Sequence, residues 1–307
     1  MKQRVITGFF ITLAVVGIFL LRMLSNYIFD AAFTVIIIIA ANEVARVFTR
    51  SGNANNSILI SIYPILSYAT IFIGVYKNIN IKYLLLINLA LIIALMIVEI
   101  LICLIFNKQI KKTIKEENVD YTKYSIKRVL LTGFLMLYPS FILSPLLMLN
   151  HIGDFAYLNA GIFKLDIALF FLLLLILTTV ATDTFAYLVG SSLKGPKLCP
   201  LISPNKTISG AIGGLLGGLV VGFGVYAIFC ALGLSMSLIP PYLIVIYTVL
   251  ASVISQAGDI FASLIKRKAR TKDYSSVFPG HGGFMDRLDG ISFNTIFSLV
   301  FFMLFII

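Results

Sequence analysis

Residues 82–106 read KYLLLINLALIIALMIVEILICLIF, an almost unbroken apolar run. A helix needs about 20 mostly apolar residues to cross the hydrocarbon core of a bilayer, so this run predicts a transmembrane helix. The whole chain of 307 residues has the same character, with 60% hydrophobic residues, 12% charged residues and a mean hydropathy of +1.02. A water-soluble surface cannot be assembled from so few charged side chains. Soluble enzymes, nucleic-acid-binding modules and disordered proteins are therefore disfavoured, and a multi-pass membrane protein remains.

Apolar runs of similar length recur along the chain and predict an all-α polytopic membrane protein of about nine transmembrane helices. They lie near residues 5–22, 27–48, 57–76, 82–106, 129–149, 165–189, 208–233, 238–265 and 288–307. The first run follows a basic N-terminus and could pass for a signal peptide. It is long and has no small-residue cleavage site, so we interpret it as a retained helix.

The distribution of basic residues predicts the orientation of these helices. The chain has 24 Lys and Arg residues and a formal net charge of +11. A cytoplasmic N-terminus places 20 of the 24 on the inner side, as expected for cytoplasmic loops. The four on the outer side are Arg22, Lys77, Lys82 and Lys164. We therefore expect a protein of the cell membrane with its N-terminus in the cytoplasm.

Several other features of the sequence carry weaker signals. The three cysteines are far apart and form no CxxC or Cys/His pair, which indicates neither a disulfide framework nor a zinc site. The polar loop 108–128 admits a regulatory or nucleotide-binding role, but attraction to anionic lipid headgroups is the favoured interpretation. Asp30, Glu43 and Glu99 could face a polar cavity, and snorkelling or hydrogen bonding between helices is an equally good explanation.

The eighth run carries a polar stripe. Lipid cannot satisfy such a stripe, so it must face protein or water. A structural seam between helices would explain the serines and the glutamine, but a carboxylate costs about 2.5–3.5 kcal/mol at the bilayer centre. Asp259 is therefore interpreted as functional. At 3.6 residues per turn, the residues that share this face are Ser252, Ser255, Gln256, Asp259, Ser263 and Lys266.

Residues 266–292 read KRKARTKDYSSVFPGHGGFMDRLDGIS and concentrate charge that a membrane chain otherwise avoids. Asp286 and Asp289 are three apart and can project from one helical turn. Together with Asp259 they make a set of hard oxygen donors that suits Mg²⁺. A plain salt-bridged loop is the disfavoured alternative.

Cations and glycines in the same stretch indicate that phosphate binds there. Glycines allow backbone N–H groups to approach an anion, and here they include Gly282 and Gly283. His281 is a candidate general base, phosphate donor or structural hydrogen-bonding residue, and its role stays open. Metal, cations and exposed amides together suit phosphoryl or nucleotidyl transfer. The cations that could meet phosphate oxygens are Lys266, Arg267, Lys272 and Arg287.

Two further segments are candidates for substrate binding. Asp183 lies near the cytoplasmic end of the sixth run, where it is about as costly as Asp259. Ser203, Lys206 and Thr207 precede the seventh run and place a cation and hydroxyls near a helix N-terminus, although ordinary helix capping would also explain them. Residues 190–195 nearly match a Walker loop, but proline follows where lysine is required, so that interpretation is rejected.

The stretch from Ser263 to Asp289 resembles the signature of the CDP-diacylglycerol synthases, or phosphatidate cytidylyltransferases. It matches S-x-x-K-R-x4-K-D…P-G-H-G-G-x-x-D-R-x-D at every fixed position. The similarity covers about residues 180–290 and extends to Asp183, to Ser203–Pro204–x–Lys206–Thr207 and to the segment ending at Asp259. The first 160 residues match only as hydrophobic helices.

The resemblance implies the reaction of CTP with phosphatidate to give CDP-diacylglycerol and pyrophosphate, in phospholipid biosynthesis. It also implies nine helices, a homodimer, Mg²⁺ as cofactor, and it allows K⁺ as a second ion. Asp259, Asp286 and Asp289 resemble the metal ligands of the family. Lys266 and Lys272 are assigned with them to catalysis. The other residues assigned to substrate binding are Asp183, Ser203, Lys206, Thr207, Ser263, Arg267, His281, Gly282, Gly283 and Arg287.

The chain departs from the family pattern at three positions, which weakens the assignment of residues 191–210 to CTP. Ile208 and Ser209 stand where Trp and Glu are usual, and Ser191 stands where Arg is common. The alternatives are a CTP-dependent lipid kinase, a cytidylyltransferase for another lipid phosphate, or an ion-coupled transporter. A transporter should show inverted repeats, and the first half has no counterpart of 259–289. We divide the chain into N-terminal helices (1–160) and a catalytic region (161–307).

Overall fold

The structure, a computed structural model, describes residues 2–106, 121–155, 166–236 and 239–306. Nearly all of the regular structure is helical, which confirms the all-α prediction. The helices are α1 (Lys2–Arg22), α2 (Asn26–Arg50), α3 (Ser57–Tyr76), α4 (Ile81–Ile105), α5 (Tyr121–Leu135), α6 (Pro145–Asn150), α7 (Ile152–Phe155), α8 (Ile167–Leu193), α9 (Ile208–Ala231), α10 (Pro241–Lys268) and α11 (Phe284–Phe305). A π-helical segment, Met136–Phe141, follows α5.

Eight helical stretches of the described residues are long and apolar enough to cross a membrane. They correspond to all the predicted runs except the first, whose described apolar part, Ile6–Arg22, is shorter. The chain is therefore a multi-pass membrane protein. The predicted domain boundary near residue 160 and the predicted start of the sixth span at residue 165 fall outside the described residues. The domain division stays a prediction.

The fifth span begins earlier than predicted. It extends over Tyr121–Asn150, so residues 121–128 of the expected polar loop are helical; residues 108–120 of that loop lie outside the described part. The charge of Arg128 obscured this start in the sequence. Its Nε lies 2.6 Å from Oε1 of Glu99, which is completely buried on α4. Oε2 of Glu99 also accepts a hydrogen bond from Nδ2 of Asn56, the N-cap residue of α3. Glu99 thus serves hydrogen bonding between helices, one of the explanations considered for it.

The chain forms two compact units. Unit 1 contains residues 1–144 and Tyr274–Met285, and unit 2 contains Pro145–Asp273 and Asp286–Ile307. Within unit 1, α2 packs against α1, α3 and the π-helical segment, and α4 packs against α3 and α5. Within unit 2, α8 and α9 pack along much of their length, and α10 packs against both. Two short antiparallel strands, β1 (Lys197–Cys199) and β2 (Ser203–Thr207), join α8 to α9.

The close packing of α8 and α9 depends on glycines of α9 that have no room for a side chain. A Cβ atom on Gly214 would lie 2.7 Å from the carbonyl oxygen of Thr182 on α8. A Cβ atom on Gly218 would lie 2.6 Å from Oγ1 of the same threonine. Thr182 in turn donates a hydrogen bond of 2.9 Å to Ser252 on α10. The helices α8, α9 and α10 of unit 2 are thereby held at short range, as small residues allow in membranes.

Replacing Gly214 by Ala is therefore expected to destabilise unit 2. Because the obstacle is a backbone oxygen that cannot rotate away, overpacking should cost about 1–3 kcal/mol. Gly224→Ala on the same helix is the matched control, since nothing lies within 4 Å of its Cβ position. Thermal unfolding of both variants in detergent checks this, and equal midpoints for the two would contradict it.

Candidate active site

The centre of the polar cluster in unit 2 is a lysine held between two aspartates. Nζ of Lys266, near the end of α10, donates to Oδ1 of Asp286 at 2.9 Å and to Oδ2 of Asp289 at 2.7 Å. The two aspartates lie one turn apart near the start of α11, as the sequence predicted. Their side chains are 3% and 5% exposed and that of Lys266 is 11% exposed. Buried charges of this kind persist only when they are paired.

A second ion pair joins the β-hairpin to α10. Nζ of Lys206 on β2 lies 2.6 Å from Oδ2 of Asp259. The same ammonium group also reaches the carbonyl oxygen of Gln256 at 3.5 Å. Both side chains are partly exposed, at 23% and 32%. The hairpin thus brings a predicted anion-binding lysine directly to the acid of the polar stripe.

Asp183 of α8 completes the carboxylate set. Its Oδ2 lies 3.3 Å from the position that a Cβ atom of Gly290 would take, so the missing side chain leaves room for the carboxylate. Asp183 interacts electrostatically with Asp259, Lys206 and Arg287. Asp289 interacts in the same way with Asp259 and Asp286. Four carboxylates of α8, α10 and α11 therefore share one electrostatic environment with these cations.

Of the remaining residues of the α10 stripe, some have hydrogen-bond partners on neighbouring helices and others do not. Ser252 receives the hydrogen bond from α8, and Nε2 of Gln256 donates to the carbonyl oxygen of Ala211 at 3.3 Å, so both have structural partners. Ser255 is buried, and its hydroxyl has no hydrogen-bond partner among the described residues. Ser263 is half-buried.

Helix capping explains part of the segment before α9. Thr207 is the N-cap residue of α9, where its hydroxyl accepts a hydrogen bond of 3.1 Å from the amide of Gly210. This is the ordinary capping that the sequence left open as the alternative to an anion site. Ser203 begins β2 and is half-buried.

Three predicted phosphate-binding cations lie at exposed positions. Nε of Arg267 donates to the carbonyl oxygen of Ile202 at 3.4 Å, and its guanidinium also reaches the carbonyl oxygen of Thr271 at 3.3 Å. Lys272 and Arg287 are exposed, and the structure gives neither an ion pair with any described residue. They are accessible to a ligand from water, and their roles stay predictions.

The glycine-rich loop belongs to unit 1. The amide of Phe278 donates to the carbonyl oxygen of Gly282 at 2.8 Å, and the amide of His281 donates back to Phe278 at 2.9 Å. The tight turn places Gly280 and Gly282 at φ of +76° and +80°, where a side chain would be strained. His281 is half-buried, and its Nδ1 has no hydrogen-bond partner in the described part of the chain. Backbone geometry thus requires Gly282.

Glu43 of α2 holds this loop, a role that the sequence did not reveal. Its side chain accepts hydrogen bonds from the Ser275 hydroxyl at 2.7 Å and from the amides of Phe284 at 3.1 Å and Met285 at 2.9 Å. Glu43 is only 4% exposed. Gly283 lies directly against it, because a Cβ atom there would collide with the Glu43 carboxylate and the Ser275 hydroxyl. Gly283 is therefore required for packing within unit 1.

Replacing Glu43 by Ala is expected to loosen the loop. Three donors would lose their acceptor, and each donor left unsatisfied in a buried position costs about 1–3 kcal/mol. Hydrogen exchange of the 274–285 amides should accelerate at least tenfold, with α9 amides as the internal control. Glu43→Gln keeps one acceptor oxygen, so its loop amides should exchange at a rate between those of the unchanged protein and of Glu43→Ala. Unchanged protection of the loop in Glu43→Ala would contradict the role of this carboxylate.

The donor chemistry of the unit 2 cluster fits a hard divalent cation. Carboxylate oxygens are the ligands that Mg²⁺ prefers, and Oδ1 of Asp289 is buried without a hydrogen-bond partner in the described part of the chain. In the structure each of the three predicted metal ligands forms an ion pair with a lysine. Asp259 pairs with Lys206, and Asp286 and Asp289 pair with Lys266. Among the described residues, no three Asp, Glu, His or Cys side chains are grouped so that they could hold one ion. The Mg²⁺ site and K⁺ as a second ion stay predictions.

A multi-pass membrane protein with buried carboxylates and paired lysines has a candidate site for charged ligands. A model of the cytidylyltransferase family matches residues 2–305. The match covers nearly the whole chain, and the chain therefore belongs to the cytidylyltransferase family.

Curated relatives match part of the chain. The chain is 40% identical over 111 residues to the phosphatidate cytidylyltransferase of Brucella abortus biovar 1, an alignment covering 36% of this chain and 38% of that protein. It is 31% identical over 181 residues to the phosphatidate cytidylyltransferase of Aquifex aeolicus, an alignment covering 59% of this chain and 60% of that protein. With the Staphylococcus haemolyticus enzyme it shares 36% identity over 125 residues, covering 41% and 46%. Each alignment spans less than two thirds of the relative's length.

Proposed function

We propose that this protein is an integral-membrane nucleotidyltransferase that condenses CTP with phosphatidate to give CDP-diacylglycerol and pyrophosphate. The observation that carries the proposal is the cluster of Asp183, Asp259, Asp286 and Asp289 with Lys206 and Lys266 in a chain of the cytidylyltransferase family. The similarity to phosphatidate cytidylyltransferases supports the same substrates.

The chemistry needs no nucleophile from the protein. A phosphate oxygen of phosphatidate attacks the α-phosphorus of CTP in line, a new P–O bond forms, and the bond to the β-phosphate oxygen breaks. Pyrophosphate leaves with that electron pair. The protein contributes by bringing two anions together and by stabilising the charge on the leaving group.

Lysines that are paired with carboxylates are suited to this task because they can exchange one anion for another. Lys206 and Lys266 would turn toward substrate phosphates, while Arg267, Lys272 and Arg287 meet them from exposed positions. Asp259, Asp286 and Asp289 would hold Mg²⁺, with K⁺ as the proposed second ion. When bound, Mg²⁺ supplies positive charge that neutralises phosphate oxygens.

The proposed reaction takes place at the cytoplasmic face of the cell membrane. We propose that the protein resides in the cell membrane as a homodimer, with its N-terminus and its active site facing the cytoplasm. This orientation follows from the excess of basic residues on one predicted side. It lets CTP arrive from water while the acyl chains of the lipid stay in the leaflet.

The test is a turnover assay with detergent-purified protein, CTP, Mg²⁺ and phosphatidate. We expect a CDP-lipid and pyrophosphate in equal amounts, and loss of both when Mg²⁺ is chelated. A phosphorylated lipid with CDP would establish a lipid kinase instead. If turnover occurs only with a different lipid phosphate, that lipid and not phosphatidate is the substrate. If no CTP is consumed, the proposal that the protein is an enzyme is overturned.

A further inference from the structure

Unit 1 contains a cavity of about 300 Å³ that the proposed reaction leaves without a role. Its walls are the second half of α2 and the loop residues Tyr274, Ser275 and Val277. A volume of this size suits a headgroup or a short part of a lipid, not a whole lipid molecule.

The lining of the cavity changes from apolar to cationic along α2. Ile38 and Ile39 line it toward the middle of the helix, whereas Arg46 and Arg50 line it toward the C-terminal end. At 1.5 Å per residue, the distance from Ile38 to Arg50 along the axis is about 18 Å. Val277 adds an apolar side chain from the loop. An amphiphile, with its apolar part at one end and an anion at the other, matches this gradient.

The described lining of the cavity carries more basic than acidic side chains. Glu43 stands there against Arg46 and Arg50, and its oxygens accept hydrogen bonds from the Ser275 hydroxyl and from two backbone amides. Arg46 and Arg50 are exposed, four residues apart on one helix face, and the structure gives them no ion pair with any described residue. Two guanidinium groups in this arrangement can bind a phosphate through several donors.

We propose that this cavity binds the phosphate group of a membrane phospholipid, with Arg46 and Arg50 as the phosphate ligands and Ile38, Ile39 and Val277 against the apolar part. The identification of that lipid as phosphatidate rests on the proposed function. The phosphate site itself rests only on the cavity and its two arginines.

The test measures binding without CTP, so that it does not depend on turnover. Full-length protein in detergent is titrated with short-chain phosphatidate, with short-chain phosphatidylcholine and with glycerol 3-phosphate. For R46Q/R50Q we expect the phosphatidate dissociation constant to rise at least tenfold. The control K77Q/K82Q removes the same charge from two exposed lysines of unit 1 outside the cavity and should bind as the unchanged protein does.

Each outcome has one meaning. Equal binding of phosphatidate by R46Q/R50Q and the unchanged protein would overturn the proposal. Binding of glycerol 3-phosphate as tight as that of phosphatidate, and equally lost in the variant, would assign the cavity to water-borne phosphates and overturn the lipid. If R46Q/R50Q loses phosphatidate binding and the unchanged protein forms no CDP-lipid, the cavity is a phosphate site and the proposed reaction is refuted. In an active enzyme, R46Q/R50Q should raise KM for phosphatidate at least tenfold and leave KM for CTP unchanged.

Discussion

Replacing Asp286 by Asn is expected to lower the rate of CDP-lipid formation on the order of a hundred- to thousandfold, as loss of a charge-stabilising group in an active site does. The substitution removes one of the two negative charges that hold Lys266 and one of the three proposed Mg²⁺ ligands. Asparagine has the same size and keeps an oxygen that can accept from the lysine. The purified variant should therefore fold, and turnover at saturating CTP and phosphatidate measures the effect.

Asp154→Asn is the matched control for this prediction. Asp154 also lies in unit 2, its side chain is 51% exposed, and its ion-pair partner is His151 and not a lysine of the cluster. This variant loses the same charge and should keep turnover within about twofold, as surface substitutions usually do. Near-normal activity of Asp286→Asn in folded protein would refute the assignment of this aspartate.

Replacing Lys266 by Met is expected to destabilise unit 2 as well as abolish turnover. The change leaves Asp286 and Asp289 buried without their shared cation, and breaking a buried ion pair from one side costs about 3–5 kcal/mol. Methionine has a similar length and an apolar end, so the loss reports the charge more than the packing. The midpoint of thermal unfolding in detergent is the measurement.

Two further variants separate the charge effect from other causes. Lys268→Met changes an exposed lysine at the end of the same helix and should leave the midpoint nearly unchanged. Adding Asp289→Asn to Lys266→Met removes one of the unpaired charges, so the double variant should recover part of the lost stability but not the activity. A double variant less stable than Lys266→Met would contradict the charge explanation.

The parts of the fold that depend on local composition could be predicted from the sequence. Eight of the nine predicted apolar runs correspond to membrane-spanning helices among the described residues. The three-residue spacing placed Asp286 and Asp289 on one helical turn. Part of the polar stripe on α10 also met partners as expected, because helical periodicity fixes which side chains share a face. The residues with partners are Ser252, Gln256, Asp259 and Lys266. These features need only the rise and twist of a single helix.

The features that the sequence did not reveal join residues distant in the chain. Glu43 meets the loop more than 230 residues later, and Gly283 leaves room for its carboxylate. The pairing of Arg128 with Glu99 allows a helix to begin in a stretch that looked like a polar loop. In each case a charge appears costly or exposed in the sequence, and only its partner in the fold shows how it is satisfied.

The most direct test of the proposed transfer follows the label of CTP in two parallel reactions with purified protein, phosphatidate and Mg²⁺. With label on the α-phosphate, the proposal predicts that the radioactivity enters the lipid fraction; with label on the γ-phosphate, it predicts that the radioactivity leaves as pyrophosphate. Asp286→Asn serves as the inactive control in both. Transfer of the γ-label to lipid, with the α-label remaining in a soluble nucleotide, would contradict nucleotidyl transfer.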